Sequence, residues 1–144
     1  MAVNIDPIYS TKPNVSTDNA TTVSSAVILT ATADYTGASA NHKLVWTAGT
    51  NGGYIERLRF KAIGTNIQSV ARIYINNGSI QTTAANNAFF GEISLPPTTA
   101  INTTSTIDLD YPMGIALDPA FRIYAGVGTT VASGWIVVGV GGQY

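Results

Sequence analysis

Few side chains in this 144-residue chain could do chemistry, and their spacing builds no catalytic group. His42 is the one histidine and cysteine is absent. A Ser–His–Asp or Cys–His relay would therefore depend on His42 alone, and no Gly-x-Ser-x-Gly elbow accompanies it. A zinc site would need mostly carboxylate ligands, an unusual donor set. A metal-binding jelly roll of the cupin type needs several histidines on neighbouring strands. His42, close to a turn, is expected to be an ordinary surface residue. Asp108 and Asp110 stand two apart, which in a strand puts their Cα atoms roughly 6.6 Å apart on one face. Paired carboxylates can act as acid and base on a glycosidic bond or hold a hard cation. Neighbours on one strand approach a substrate from the same side, whereas a glycosidase needs them to flank the bond. A solvated face is the expectation here. Gly126-Val127-Gly128 and Gly139-Val140-Gly141-Gly142 lack both the rest of a dinucleotide fingerprint and a Gly-Lys-Ser/Thr ending. They read as strand ends and bulges. The sequence thus predicts no enzyme, no metal and no cofactor.

A binding signal is sharper. Arg57, Arg59 and Lys61 alternate along one segment, and Arg72 with Tyr74 follows on the next. Four of the seven basic residues would then share one face. Such a face either keeps the sheet solvated and guards its edge or docks on an acidic partner, where Arg and Tyr are favoured anchors. The stripe is too short for nucleic acid and has no series of stacking aromatics.

These residues sit on elements that alternate with period two, the mark of strands with one buried face. Residues 54–63 set Leu58, Phe60 and Ala62 against Arg57, Arg59 and Lys61. Residues 69–76 set Ala71, Ile73 and Ile75 inward, with Arg72 and Tyr74 outward. Asn77-Gly78 then suits a type I′ hairpin. Residues 88–95 place Phe89, Ile93 and Leu95 on one face and Phe90, Glu92 and Ser94 on the other. Residues 106–111 point Ile107, Leu109 and Tyr111 inward, and Pro112 is expected to end the run. Segments 26–32, 43–47, 114–117 and 121–127 are further strands, and 134–142 is apolar on both faces. No window carries a helical repeat. An all-β, single-domain, jelly-roll-like β-sandwich of about eight strands is predicted over 23–144. It follows an extended N-terminal arm, residues 1–22, in which Ile5, Ile8 and Tyr9 could anchor on a partner.

Composition agrees. Charged residues make up 10% of the chain. An average soluble protein has roughly 25%, so Thr, Asn, Ser and Gly must cover the surface here. A net charge of −1 gives no general attraction to phosphate or anionic lipid. No segment reaches the roughly 20 apolar residues of a membrane-spanning helix, and the first 20 residues have no signal-peptide core. A soluble protein without nucleic-acid or membrane partners is expected.

Several segments together resemble a known family. They run from Trp46 to Gly53, from Ile55 to Asn66, from Ala71 to Gly78, from Leu117 to Ala125, and from Gly134-Trp135 to Gln143-Tyr144. The pattern, over roughly residues 22–144, is similar to small tailed-bacteriophage virion proteins, the jelly-roll cement or decoration proteins of capsid shells. The resemblance implies binding to the phage major capsid protein lattice, stabilisation of the head and a homo-oligomer (trimer or dimer). It also implies location on the capsid surface after assembly in the host bacterial cytoplasm. The alternative is a receptor- or carbohydrate-binding module of a tail or head fibre, with Trp46 or an exposed Tyr stacking on sugar.

Overall fold

A computed structural model describes residues 12–16, 26–32 and 34–144. Nine strands are present among them: β1 (Lys12–Ser16), β2 (Ala26–Ile28), β3 (Lys43–Thr47), β4 (Gly53–Ala62), β5 (Ser69–Asn76), β6 (Asn87–Leu95), β7 (Asp108–Leu117), β8 (Arg122–Val127) and β9 (Trp135–Gln143). The one helical element described is a 3-10 turn, Ala84–Asn86. The pairs β2·β9, β3·β8, β4·β7 and β5·β6 are all antiparallel, as in one long hairpin of strand pairs. That hairpin is rolled so that β9 also pairs with β4, and β8 with β5. Two sheets result, β2-β9-β4-β7 and β3-β8-β5-β6, with β1 added beside β2 on the outer edge of β9. This connectivity is a jelly roll.

The inward faces meet in one core. Phe60, Leu58 and Ile55 of β4 and Trp135 and Val137 of β9 face Val45, Trp46, Ile73 and Ile123 of the other sheet, all fully buried. Trp46 fits there because glycines of the facing sheet leave room for it. A Cβ on Gly53 would fall 2.6 Å from the Trp46 ring and 2.9 Å from the carbonyl oxygen of Gly142. One on Gly139 would lie 3.0 Å from Trp46 Cβ. A register shift between Leu44 and Trp46 lets Val45 and Trp46, adjacent in sequence, both turn inward.

Loops are tied by uncharged side chains. Asn66 is buried; its Oδ1 accepts from the N–H groups of Ser133 (3.0 Å) and Gly134 (2.7 Å). Its Nδ2 donates towards Ile63 O (3.2 Å), Thr98 Oγ1 (3.1 Å) and Gly134 O (3.1 Å). At the opposite sheet, Asn76 donates to Asn87 Oδ1 (2.8 Å), and Asn87 in turn donates to the carbonyl of Gln81 (2.6 Å).

Several expectations change. Lys12–Ser16, read as arm, is an edge strand on β9; Pro13 is tolerated there because an edge position does not need every N–H. Asn77-Gly78 does not close a two-residue hairpin. β6 begins only at Asn87, and Asn77 does not adopt the positive φ of a type I′ turn. Pro112 does not end its strand: β7 is an edge strand, so it continues to Leu117. A bulge at Phe90 reverses the phase of β6, so Phe89 faces outward opposite Tyr74 instead of joining Ile93 and Leu95.

Two substitutions test this packing with opposite signs. Gly53→Ala should destabilise by about 1–3 kcal/mol through overpacking against Trp46 and the Gly142 carbonyl. Ala120 holds a positive φ of 65°. Ala120→Gly should therefore gain up to about 1 kcal/mol. Chemical denaturation of both variants beside the parent measures each change.

Candidate functional site

Alternation along β4 turns Arg57, Arg59 and Lys61 to the outside of the β1-β9-β4-β7 sheet, as the sequence predicts. Directly opposite them, on the same face, β9 supplies Val140, Val138 and Ile136, and β7 supplies Pro112, Asp110 and Asp108. The apolar side chains of β9 form a floor, and the long side chains of β4 form a wall beside it. The resulting groove of about 610 Å³ is lined by Arg57, Arg59, Lys61, Asp108, Ile136, Val138 and Val140. The apolar second face of β9, legible in the sequence, is this floor.

The face is not positive. Arg59 lies 3.6 Å from Asp108 and 3.4 Å from Asp110. Lys61 Nζ donates to Asp108 (3.1 Å) and to the Thr106 carbonyl (3.2 Å), and Arg57 lies 3.6 Å from Glu56. Three cations thus meet three carboxylates, and the local sum is zero. Each pair is substantially exposed, so each stabilises the fold by no more than about 1 kcal/mol. The carboxylates Asp108 and Asp110 face outward as expected, but they are paired with arginine and lysine side chains. Among the described residues no group of three or more His, Asp or Glu could hold a metal ion.

Arg72 and Tyr74 do not join this face. β4 and β5 belong to different sheets, so their outward side chains lie on opposite sides of the sandwich. Nor do the two residues present a free surface. Tyr74 is fully buried, stacked on His42 (ring centroids 4.6 Å apart) and tilted against Phe89 (5.6 Å). Its hydroxyl donates to the carbonyl of Asp34 (3.3 Å). The Arg72 side chain is 11% exposed; it donates to Thr32 O (2.8 Å) and lies under the Tyr35 ring, 4.1 Å from its centroid. Glu92 stands 3.7 Å away. Together these residues clamp the segment 34–37 onto the sheet.

His42 belongs to the same clamp, and it is 5% exposed instead of a surface residue. It lies over Gly126, where a Cβ would meet its ring, and its Nδ1–H donates to Gly37 O at 3.0 Å. Gln81 Nε2 donates to the same carbonyl. The sequence signal for this burial is Gly126 itself: a glycine within a strand, opposite a bulky ring, marks close approach. Trp46 and Trp135 are likewise fully buried, which removes Trp46 as a platform for sugar. Ile5, Ile8 and Tyr9 lie outside the described residues. In comparisons with protein-family models, curated proteins and solved structures, none matches this chain.

Burial pushes the His42 imidazole below its ordinary value of 6.5, outweighing the hydrogen bond to Gly37 and the charge of Asp34. The unfolded chain therefore binds this proton more readily than the folded one. The stabilisation is complete above pH 6.5 and is lost as pH falls from there through the folded value. The melting temperature should drop across that interval, and His42→Phe, which keeps the stack on Tyr74, should flatten the drop. Thermal melts of both proteins over the same pH series check this.

Proposed function

We propose that this protein is a structural virion component that docks on a protein lattice, the phage capsid implied by the family resemblance. Its docking face is the outer face of β4 and β9. The observation that carries the reading is the groove over Ile136, Val138 and Val140: an apolar strip on an outward sheet face, framed by side chains whose charges cancel. An outward sheet face with no partner is ordinarily polar. An apolar strip there gains by covering, and the flanking arginines can exchange an intramolecular carboxylate for one on the partner with little change in charge.

A decoration protein needs a rigid body and an adhesive face, and no reactive groups. Repetition on a symmetric lattice supplies the rest, since many modest contacts act together. Binding only the mature shell stabilises that state by mass action. The neutral sum on the docking face replaces the acidic-partner attraction expected from the basic stripe alone. Contact is driven by apolar burial and aligned by Arg57, Arg59 and Lys61.

Capsids prepared without this protein provide the test. Added protein should bind them stoichiometrically. Raising the salt concentration should change the affinity by less than about threefold, because few net charges are neutralised. Val138→Asp should weaken binding by about tenfold or more while circular dichroism and melting temperature show the fold retained. Binding to cells or glycans with indifference to capsids would overturn the reading.

A further inference from the structure

β4 alternates regularly except at one position, and that position borders the groove. Strict alternation back from Leu58 would turn Glu56 into the core and Ile55 into solvent. A register shift between Ile55 and Arg57, against both β7 and β9, prevents this. Ile55 faces Gly141 of β9 and Arg57 faces Val140, so Glu56 is the extra residue of a bulge. Ile55 is fully buried as a result. Glu56 and Arg57, adjacent in sequence, both turn outward, with side chains 60% and 41% exposed. Bulges in strands commonly re-aim a side chain beside a functional surface.

The bulge also sets Arg57 apart from the acids that neutralise its neighbours. In the β4–β7 register Arg59 stands opposite Asp110 and Lys61 opposite Asp108, and each is paired there. Arg57 stands opposite Pro112, which carries no charge. Among the described residues its one ion pair is with Glu56 at 3.6 Å, too long for a hydrogen bond. Its Nε is buried and finds no hydrogen-bond partner among them. A guanidinium has five donors in a fixed fork. This one lines the groove with its donors largely uncommitted, next to Val140.

We infer that Arg57 is the carboxylate anchor of this groove: a partner protein lays an extended apolar segment over Val138 and Val140 and sets one Asp or Glu side chain on the Arg57 guanidinium, in place of Glu56. The inference rests on the reading of this face as the docking face. Charge complementarity selects the position. A partner acid at Arg59 or Lys61 has to displace contacts with Asp108 and Asp110, whereas at Arg57 it displaces only Glu56. A pair as exposed as Glu56–Arg57 is weak, and the released Glu56 returns to water. The planar fork then holds the incoming carboxylate through two parallel hydrogen bonds. A phosphate fits less well, because it brings up to two negative charges beside Glu56, Asp108 and Asp110.

Binding to capsids prepared without this protein tests the anchor, with melting temperature as the check on folding. Arg57→Gln should weaken binding by about tenfold or more. Arg57→Lys should bind nearly as weakly, since an ammonium has no fork. Glu56→Gln should bind about threefold tighter, because the competing carboxylate is gone. Arg122→Gln, on the other sheet, should bind as the parent does. Capsids whose carboxylates have been converted to amides should bind the parent no better than Arg57→Gln. Should Arg57→Gln lose its fold, the gain from Glu56→Gln and the loss on amidated capsids still decide. Four results would each overturn the anchor while leaving the docking face in place, provided Val138→Asp remains weakened. They are Arg57→Gln binding like the parent, an equal loss in Arg122→Gln, a loss in Glu56→Gln, or amidated capsids that still prefer the parent to Arg57→Gln. A parent that ignores capsids, or Val138→Asp binding like the parent, would remove the docking face and the anchor together.

Discussion

One contact holds the two layers at their spacing: the Trp46 side chain, carried on an edge strand of one sheet and pressed against Gly53 and Gly139 of the other. A ring of this size would hold two pleated sheets apart if the facing positions had side chains. Glycine at both removes that obstacle and turns the ring into a spacer that also seals the core. The bulge in β3 is part of the same arrangement, because without it Val45 and Trp46 would point to opposite faces. Among the described residues the indole N–H finds no hydrogen-bond partner. Its desolvation is offset by the apolar area that the ring takes out of water.

Much of this is legible in the sequence, and the boundary of what is legible has a physical cause. Period-two alternation locates β4, β5 and β8 to within a residue or so, because one buried face dictates it, while β3 and β9 are located as apolar runs between turn residues. The same signal predicts that Arg57, Arg59 and Lys61 share a face. It is silent on which sheet a strand joins, and that is set by long-range pairing. Hence Arg72 and Tyr74, one strand later, are expected beside them and lie on the far side. Bulges are equally hidden. Phe90 shifts β6 by one residue, which sends Phe89 outward to Tyr35 and Tyr74 and leaves Phe90 at the open edge. Glycines are readable as turn and bulge residues, but Gly53, Gly126 and Gly139 instead make room for rings that come from distant strands.

Low charge connects the composition to both surfaces. With few charged side chains, the loops are fastened by Asn66, Asn76 and Asn87, and the basic residues set their charge against nearby carboxylates. The sandwich therefore presents outward faces on which electrostatic steering is weak. For a partner bound there, specificity would come from shape and apolar fit, and association would be slower than in a steered complex.

The jelly roll keeps two partly apolar surfaces apart. The groove lies on the outer face of β4 and β9, while Phe90 and Tyr111 meet edge-on, ring centroids 6.4 Å apart, on the side formed by β6 and β7. β7 contributes to both, through Asp108 at the groove and Leu109 and Tyr111 against the core. One strand can serve two surfaces because successive side chains point to opposite faces of the sheet, so the alternation that buries Leu109 and Tyr111 also sets Asp108 and Asp110 beside Arg59 and Lys61.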